Sequence, residues 1–317
     1  SPSAEALVGL GRVYADAGQR DDAIQAYRDA IAVNGRLAAA HFELGQQLEL
    51  AGDLPNAQRS LERAVDLDGA NTEARLALAR VYAAQGQADA AANAYRAAVR
   101  SGVSDPRLLR DLGDKLLERG KPADAADAYT RAIELRPDDR QLHAALARAY
   151  LAQGNLDGAQ SEFQRALDLS EGADGQALVG LGDVARLRGD YDNAQGLYNQ
   201  ALALDGGLVT ARLGLGQVAT GQGNWSVALG QFQAAADQDP NDPMARFWIG
   251  EALLRQNRLD EALASYQRAI ELRGGAAFPE ALLGMAQAQR AKNDVAAAEA
   301  SIAAALRERP DYAEALL

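Results

Sequence analysis

Two imidazoles and the Gly-Leu-Gly of a stretch that occurs twice, Ala-Leu-Val-Gly-Leu-Gly, are the residues of this chain whose types invite chemistry. His41 and His143 are its only histidines, and general acid–base or metal-ligand work would start from them. Gly9-Leu10-Gly11 and Gly180-Leu181-Gly182 look like the opening of a phosphate-cradling loop, which needs a strand before it, a helix after it and a third glycine at a fixed distance. Neither triplet follows a β-branched run. Spacing gives them another meaning. The two copies of Ala-Leu-Val-Gly-Leu-Gly begin at Ala6 and Ala177, 171 residues or five spans of 34 plus one apart, and the histidines lie 102 residues or three such spans apart. A shared period makes both pairs the marks of a repeat, and the histidines read as helix-packing residues without a triad or metal partner nearby. The chain has no cysteine, which excludes disulfides, thiolate metal sites and a cysteine nucleophile. Its acids recur on solvated faces rather than as a pair in an apolar pocket, so no catalytic residue, metal site or cofactor is expected.

The elements that carry these residues follow from the period. Counting in steps of 34 from Ala4 puts repeat starts at Ala4, Ala38, Thr72, Pro106 and Arg140; one inserted residue moves the next to Gly175, then Val209 and Pro243, and two more move the ninth to Pro279. Position 20 is always alanine, from Ala23 to Ala298, and position 27 is always alanine, from Ala30 to Ala305. Position 24 is large: Tyr27, Leu61, Tyr95, Tyr129, Phe163, Tyr198, Phe232, Tyr266 and Ile302. Positions 4, 7, 8 and 11 form the stripe of one amphipathic helix and positions 20, 24 and 27 that of a second. Between them, position 15 is glycine in seven repeats and Asn257 or Asn293 in the last two, the two residue types that tolerate a left-handed helix cap. Each repeat is a helical hairpin, and the chain is an all-α solenoid.

This pattern resembles the tetratricopeptide repeat. That family's Leu-Gly-x-x-Tyr, Ala-x-x-x-Phe and trailing-Pro signature appears as Leu10-Gly11 with Tyr14, Ala23 with Tyr27, and Pro137, Pro240 or Pro310. Position 4 departs from it, with Leu, His or Arg where the family often has Trp, which weakens some contacts between repeats. The resemblance covers residues 1–317 as a single array and implies a right-handed superhelix of nine hairpins whose first helices line a concave face. The Ala-Glu-Ala-Leu of Ala4–Leu7 returns at Ala313–Leu316, so a truncated tenth repeat starts at 313. No polar capping helix closes the array. The chain reads as a segment of a longer protein whose uncapped ends are open to self-association.

The resemblance further implies ligand contacts at positions 2, 5, 9, 12 and 13 of the first helices. Eight arginines and nine acids stand there, so the chain's net charge of −12 lies mostly on the back and the turns and describes solubility rather than ligand. Position 5 makes an apolar floor broken only by Arg110, and position 9 alternates as Arg80, Asp114, Arg148 and Asp183, which predicts a cross-helix ladder of ion pairs. Arg107 and Arg110 have fewer obvious partners. The Lys and Asn with which some family members grip a C-terminal carboxylate are absent from positions 5 and 9. At position 6, Gly9, Gly180 and Gly214 are expected to thin the groove wall. Trp248 is the exception there; with Met244 and Phe247 it forms an apolar cluster that either anchors a partner or packs on the loop at Gly274 to Phe278.

These residues predict a non-enzymatic scaffold that binds an extended peptide or a partner helix. Arg80, Arg107, Arg110 and Arg148 are the candidate contacts for an acidic group, and Phe42, Leu76, Met244, Phe247 and Trp248 the candidate apolar anchors. Two alternatives are a regulatory segment of a multidomain enzyme or signalling ATPase, and a periplasmic scaffold of bacterial polysaccharide export. A net charge of −12 has the wrong sign for tracking nucleic acid. Without an apolar run of eighteen residues or a basic, apolar leader, neither membrane insertion nor secretion is expected; the cytoplasm is the expected compartment and the periplasm the alternative. The phase slips at Glu171 to Asp174 and at Gly274 to Phe278 mark expected irregular joints.

Overall fold

The computed structural model describes residues 2–100, 105–274 and 278–309. Among them are eighteen helices, paired into nine hairpins. The first helices are α1 (Ala4–Asp16), α3 (Ala38–Leu50), α5 (Thr72–Ala84), α7 (Pro106–Glu118), α9 (Arg140–Ala152), α11 (Gly175–Leu187), α13 (Val209–Gly221), α15 (Pro243–Arg255) and α17 (Pro279–Ala291). Their starts fall on the residues that the count of 34 marks. The second helices are α2 (Arg20–Val33), α4 (Leu54–Leu67), α6 (Ala88–Arg100), α8 (Pro122–Leu135), α10 (Leu156–Leu169), α12 (Tyr191–Leu204), α14 (Trp225–Gln238), α16 (Leu259–Leu272) and α18 (Val295–Glu308).

Helix ends follow from local chemistry. Asp53, Asn71, Asp105, Asp139, Asp174, Asp190, Asn224, Asp242 and Asp294 each accept a backbone N–H of the helix they precede, satisfying a donor that the first turn leaves unpaired. Inside each hairpin the chain turns on a left-handed residue: seven glycines with φ of 66° to 80°, then Asn257 at 59° and Asn293 at 61°.

Packing explains the small residues. Where position 8 is glycine, the side chain at position 24 lies across it, so a Cβ on Gly11, Gly113, Gly182 or Gly250 would run into the ring of Tyr27, Tyr129, Tyr198 or Tyr266. The same ring also seats the next repeat through position 6. A Cβ on Gly180, Gly214 or Gly284 would strike Phe163, Tyr198 or Tyr266, and Gly180 and Gly214 are buried. They therefore do not thin a groove wall, as the sequence suggested; they let one repeat sit on the ring of the repeat before it. Gly9, with nothing within 4 Å of where its Cβ would be, is exposed.

The helices cluster into two compact units, Ser1–Asn155 with α1 to α9 and Leu156–Leu317 with α10 to α18. In the first, α2 and α4 pack broadly on α3 and α5, and α8 on α9, but α6 makes only marginal contact with α7 among the described residues. In the second, every second helix packs broadly on the first helix that follows it. The inserted residue before Gly175 is absorbed by a left-handed pair, Glu171 at φ 52° and Gly172 at 83°, and α10 still packs fully on α11. The expected irregular joint is thus only a turn, and the loosened joint lies where the period is unbroken. Of the other slip, residues 275–277 are outside the described residues, as is the truncated tenth repeat from 313.

Candidate interaction surface

The joint between α6 and α7 opens because of what stands at position 6 of repeat 4. Repeats 3, 5, 6, 7 and 9 place Ala77, Ala145, Gly180, Gly214 and Gly284 there, small enough to sit on the large side chain of the repeat before; in repeat 2 Glu43 is paired with Arg12 at 2.6 Å and only 15% exposed, and in repeat 8 Trp248 stacks on Phe232. Repeat 4 has Asp111, whose side chain remains 65% exposed and whose nearest cation, Arg110, is 3.6 Å away. Burying that carboxylate against Tyr95 would strip its water without a paired charge in exchange. Instead a cleft of about 520 Å³ remains between α5, α6 and α7, floored by Leu76, Leu112 and Tyr95 and rimmed by charged side chains.

Position 14 records the same displacement. Gln153 and Gln256 donate to the carbonyls of Pro122 and Trp225, 2.9 and 3.0 Å away, at the start of the preceding second helix; Arg188 and Lys292 reach Asp157 and Asp260 in the same place. Arg119 misses α6. Its Nη2 donates instead to the carbonyl of Ala83 at 2.6 Å, which ties the end of α7 directly to the end of α5 across one end of the cleft.

Electrostatics along position 9 differ from the expected ladder. Arg80 does not pair with Asp114; it forms a two-pronged bond with Glu49 of the preceding repeat, at 2.8 and 2.7 Å. Asp114 accepts the Tyr129 hydroxyl at 2.6 Å, Asp183 that of Tyr198 at 2.8 Å, and Glu251 that of Tyr266 at 2.6 Å. Where position 9 is acidic, position 24 of the same repeat is a tyrosine that donates to it. Burial, with the adjacent carboxylate, pushes these three phenols far above their ordinary range, so they remain donors at any physiological pH.

Tyr27 and Tyr95 are the tyrosines at position 24 whose repeats carry arginine at position 9. The Tyr27 hydroxyl is buried without a hydrogen-bond partner, and burial beside Glu43 pushes it up to about 12. Tyr95 lines the cleft. Burial raises its phenol too, although the Arg80 and Arg119 guanidiniums beside it pull the other way.

The sequence-predicted contacts do not converge. Arg80 and Leu76 line the large cleft. Arg107 and Arg110 line a smaller one of about 200 Å³ on the other side of α7, with Arg136, Asp139 and Gln141; Arg110 donates to Gln141 at 3.2 Å. Arg148 is exposed on α9. Phe42, only 8% exposed, belongs to the core of repeats 1 to 3 and cannot serve as a reachable anchor. In repeat 8, Trp248 stacks on Phe232 at 5.7 Å and meets Phe247 edge-on at 5.2 Å, while Phe247 packs on Phe278 at 5.4 Å. That cluster fills a joint between repeats, and Met244 stands exposed, at 38%. Sequence reasoning missed Tyr95, Leu112, Lys115 and Arg119; the available signal was Asp111 in a column that is small in six of nine repeats.

Both histidines hold loops. His41 Nε2–H donates to the Gly35 carbonyl at 3.1 Å and His143 Nε2–H to that of Pro137 at 2.8 Å, each six residues back, before its own helix. Among the described residues no three His, Asp or Glu side chains cluster as metal ligands would, and no described helix is long and apolar enough to cross a membrane.

Comparison with known proteins agrees with this architecture. Residues 1–179 match the family described as cilia and flagella-associated protein 70 C-terminal domain, and residues 177–208 and 213–279 match two tetratricopeptide repeat families. No curated protein sequence matches the chain. Among solved structures, a tetratricopeptide repeat protein from Parabacteroides merdae is 17% identical with a TM-score of 0.65, covering 80% of this chain and 98% of its own. Yeast Tom70 is 17% identical with a TM-score of 0.54, covering 98% and 86%. PilW, a type IV pilus biogenesis factor, is 16% identical with a TM-score of 0.56, covering 67% and 96%. At such identities the likeness is one of fold, and the hairpin period, its caps and the family matches meet in one conclusion: the chain belongs to the tetratricopeptide repeat family, whose fold generally serves protein interaction.

Proposed function

We propose that the chain is a non-enzymatic scaffold that takes an extended protein segment into the cleft between repeats 3 and 4. The observation that carries this reading is the cleft itself, a concave, apolar-floored space beside Asp111, whose carboxylate stays exposed where Glu43, in the same position of repeat 2, is paired with Arg12 and packed. Concave sites with an apolar floor and a few polar groups are where ligands are bound most often. The segment crosses α7 and reaches Arg107 and Arg110 on its far side. Ala84, exposed at the cleft edge, gives the test. Peptides selected from a randomised library on the intact chain should lose binding to Ala84→Trp, which fills the cleft, and bind the Arg107→Ala, Arg110→Ala double variant at least tenfold more weakly, about 1.4 kcal/mol, with melting temperature unchanged. Selected peptides indifferent to Ala84→Trp would refute the reading.

A further inference from the structure

Within the cleft proposed above, we infer that the bound segment presents an acidic side chain, whose carboxylate accepts the Tyr95 hydroxyl and is held between Arg80 and Arg119. The inference rests on that reading of the cleft and adds the chemistry of what fills it.

The fold states the missing partner three times. In repeats 4, 6 and 8 the phenol at position 24 donates to a carboxylate at position 9 of its own repeat, over 2.6 to 2.8 Å. In repeat 3 position 9 is Arg80, drawn away to Glu49, and the Tyr95 hydroxyl has no hydrogen-bond acceptor among the described residues. Tyr95 as a whole is only 5% exposed, yet its hydroxyl, unlike that of Tyr27, is not sealed from the cleft, so it can donate to an acceptor that enters there. Tyr27, in the same situation, is wholly buried, its hydroxyl included. Tyr95 alone among these phenols combines a missing acceptor with an open approach.

The surrounding charge suits an anion. The cleft is lined by Arg80, Lys115 and Arg119 against Asp111 and Glu118, and Glu118 is already engaged by Lys115 at 2.8 Å. Arg80 meets Glu49 through Nε and Nη2, which leaves Nη1 to donate; Arg119 meets Ala83 through Nη2, which leaves Nε and Nη1. A carboxylate has enough lone pairs for the phenol and both guanidiniums. The chain's net charge of −12 opposes an acidic partner only weakly, because at physiological salt fields decay over about 8 Å and the nearest charges decide. Leu76, Leu112 and Ala83 leave room for an apolar neighbour of the acid.

Four variants of the intact chain test this with peptides from a randomised library. Tyr95→Phe is a safe change, since Phe163 and Phe232 hold position 24 in repeats 5 and 7; its melting curve checks the fold. Selected peptides that Ala84→Trp displaces should share an Asp or Glu. Replacing that residue by Asn or Gln should weaken binding to the parent chain about tenfold, and change binding to Tyr95→Phe by much less. Arg80→Asp, which supplies the carboxylate from within as repeat 4 does, should abolish the acidic preference, whereas Arg80→Gln should keep part of it. Peptides that need the cleft but carry no shared acid, or an acid that matters equally in Tyr95→Phe, would overturn the inference and leave the cleft reading standing. Peptides indifferent to Ala84→Trp would overturn both.

Discussion

A single repeat position carries opposite consequences along this chain, and the difference is where the structure is most exposed to test. At position 6, Gly180 lies under the Phe163 ring while Gly9 faces open space. Gly180→Ala should cost about 1 to 3 kcal/mol by overpacking, and Gly9→Ala should stabilise by about 0.5 to 1 kcal/mol, as removing glycine from an exposed helix interior does. Equal melting temperatures for the two variants would deny that position 6 seats one repeat on another. The hydroxyls divide similarly. Tyr198→Phe gives up a bond to Asp183 worth about 1 kcal/mol, whereas Tyr27→Phe removes a hydroxyl with no partner and should cost nothing at neutral pH. Tyr27 has its phenol raised from 10.0 to about 12, so the folded state keeps a proton that the unfolded state releases. Its contribution is complete below pH 10 and is lost as pH rises from 10 to 12. Melting temperature should fall across that window, and less steeply in Tyr27→Phe, with thermal melts from pH 8 upward as the check.

At the scale of the elements, Asp111 holds a joint open. Asp111→Ala gives repeat 4 the residue that repeats 3 and 5 have at that position, Ala77 and Ala145, both buried. It also improves helix propensity by a few tenths of a kcal/mol. The variant should let α7 settle on Tyr95, raise stability by about 1 kcal/mol and weaken peptide binding; a destabilised variant that still binds would show that the joint is open for another reason. Most of the helical frame was legible beforehand, because caps and turns depend on residues close in sequence: Gly18, Asn257 and Asn293 each announce a left-handed turn, and Pro106 and Pro243 a first helical turn. The joint was not, because a period of 34 runs unbroken from Thr72 to Arg140 and phase says nothing of how closely neighbours seat. The ladder expected at position 9 failed for a related reason. Its reading considered neighbours across the groove, while the nearer partner of Asp114 and Asp183 was the tyrosine of their own hairpin, reached only once the two helices fold together. Phe42 was taken for a floor residue by its column, although burial by α1 and α5 belongs to three-dimensional neighbours.

For the whole molecule, stability in such an array is close to a sum of hairpins and the interfaces between neighbours, so a poorly packed interface is where local opening costs least. That places the most adaptable surface of the unit Ser1–Asn155 at the same spot as the apolar-floored cleft, and a partner that fills the cleft must also tie α5 to α7. Hydrogen exchange measured on the intact chain, free and with a saturating library-selected peptide, reads this directly. Protection should rise over residues 76–84 of α5 and 111–119 of α7, with a smaller rise at Arg107 to Arg110, and little change around Phe247 and Trp248. Protection confined to repeat 8, or spread evenly over the first helices with no excess at α5 and α7, would contradict the assignment of this joint as the site of binding.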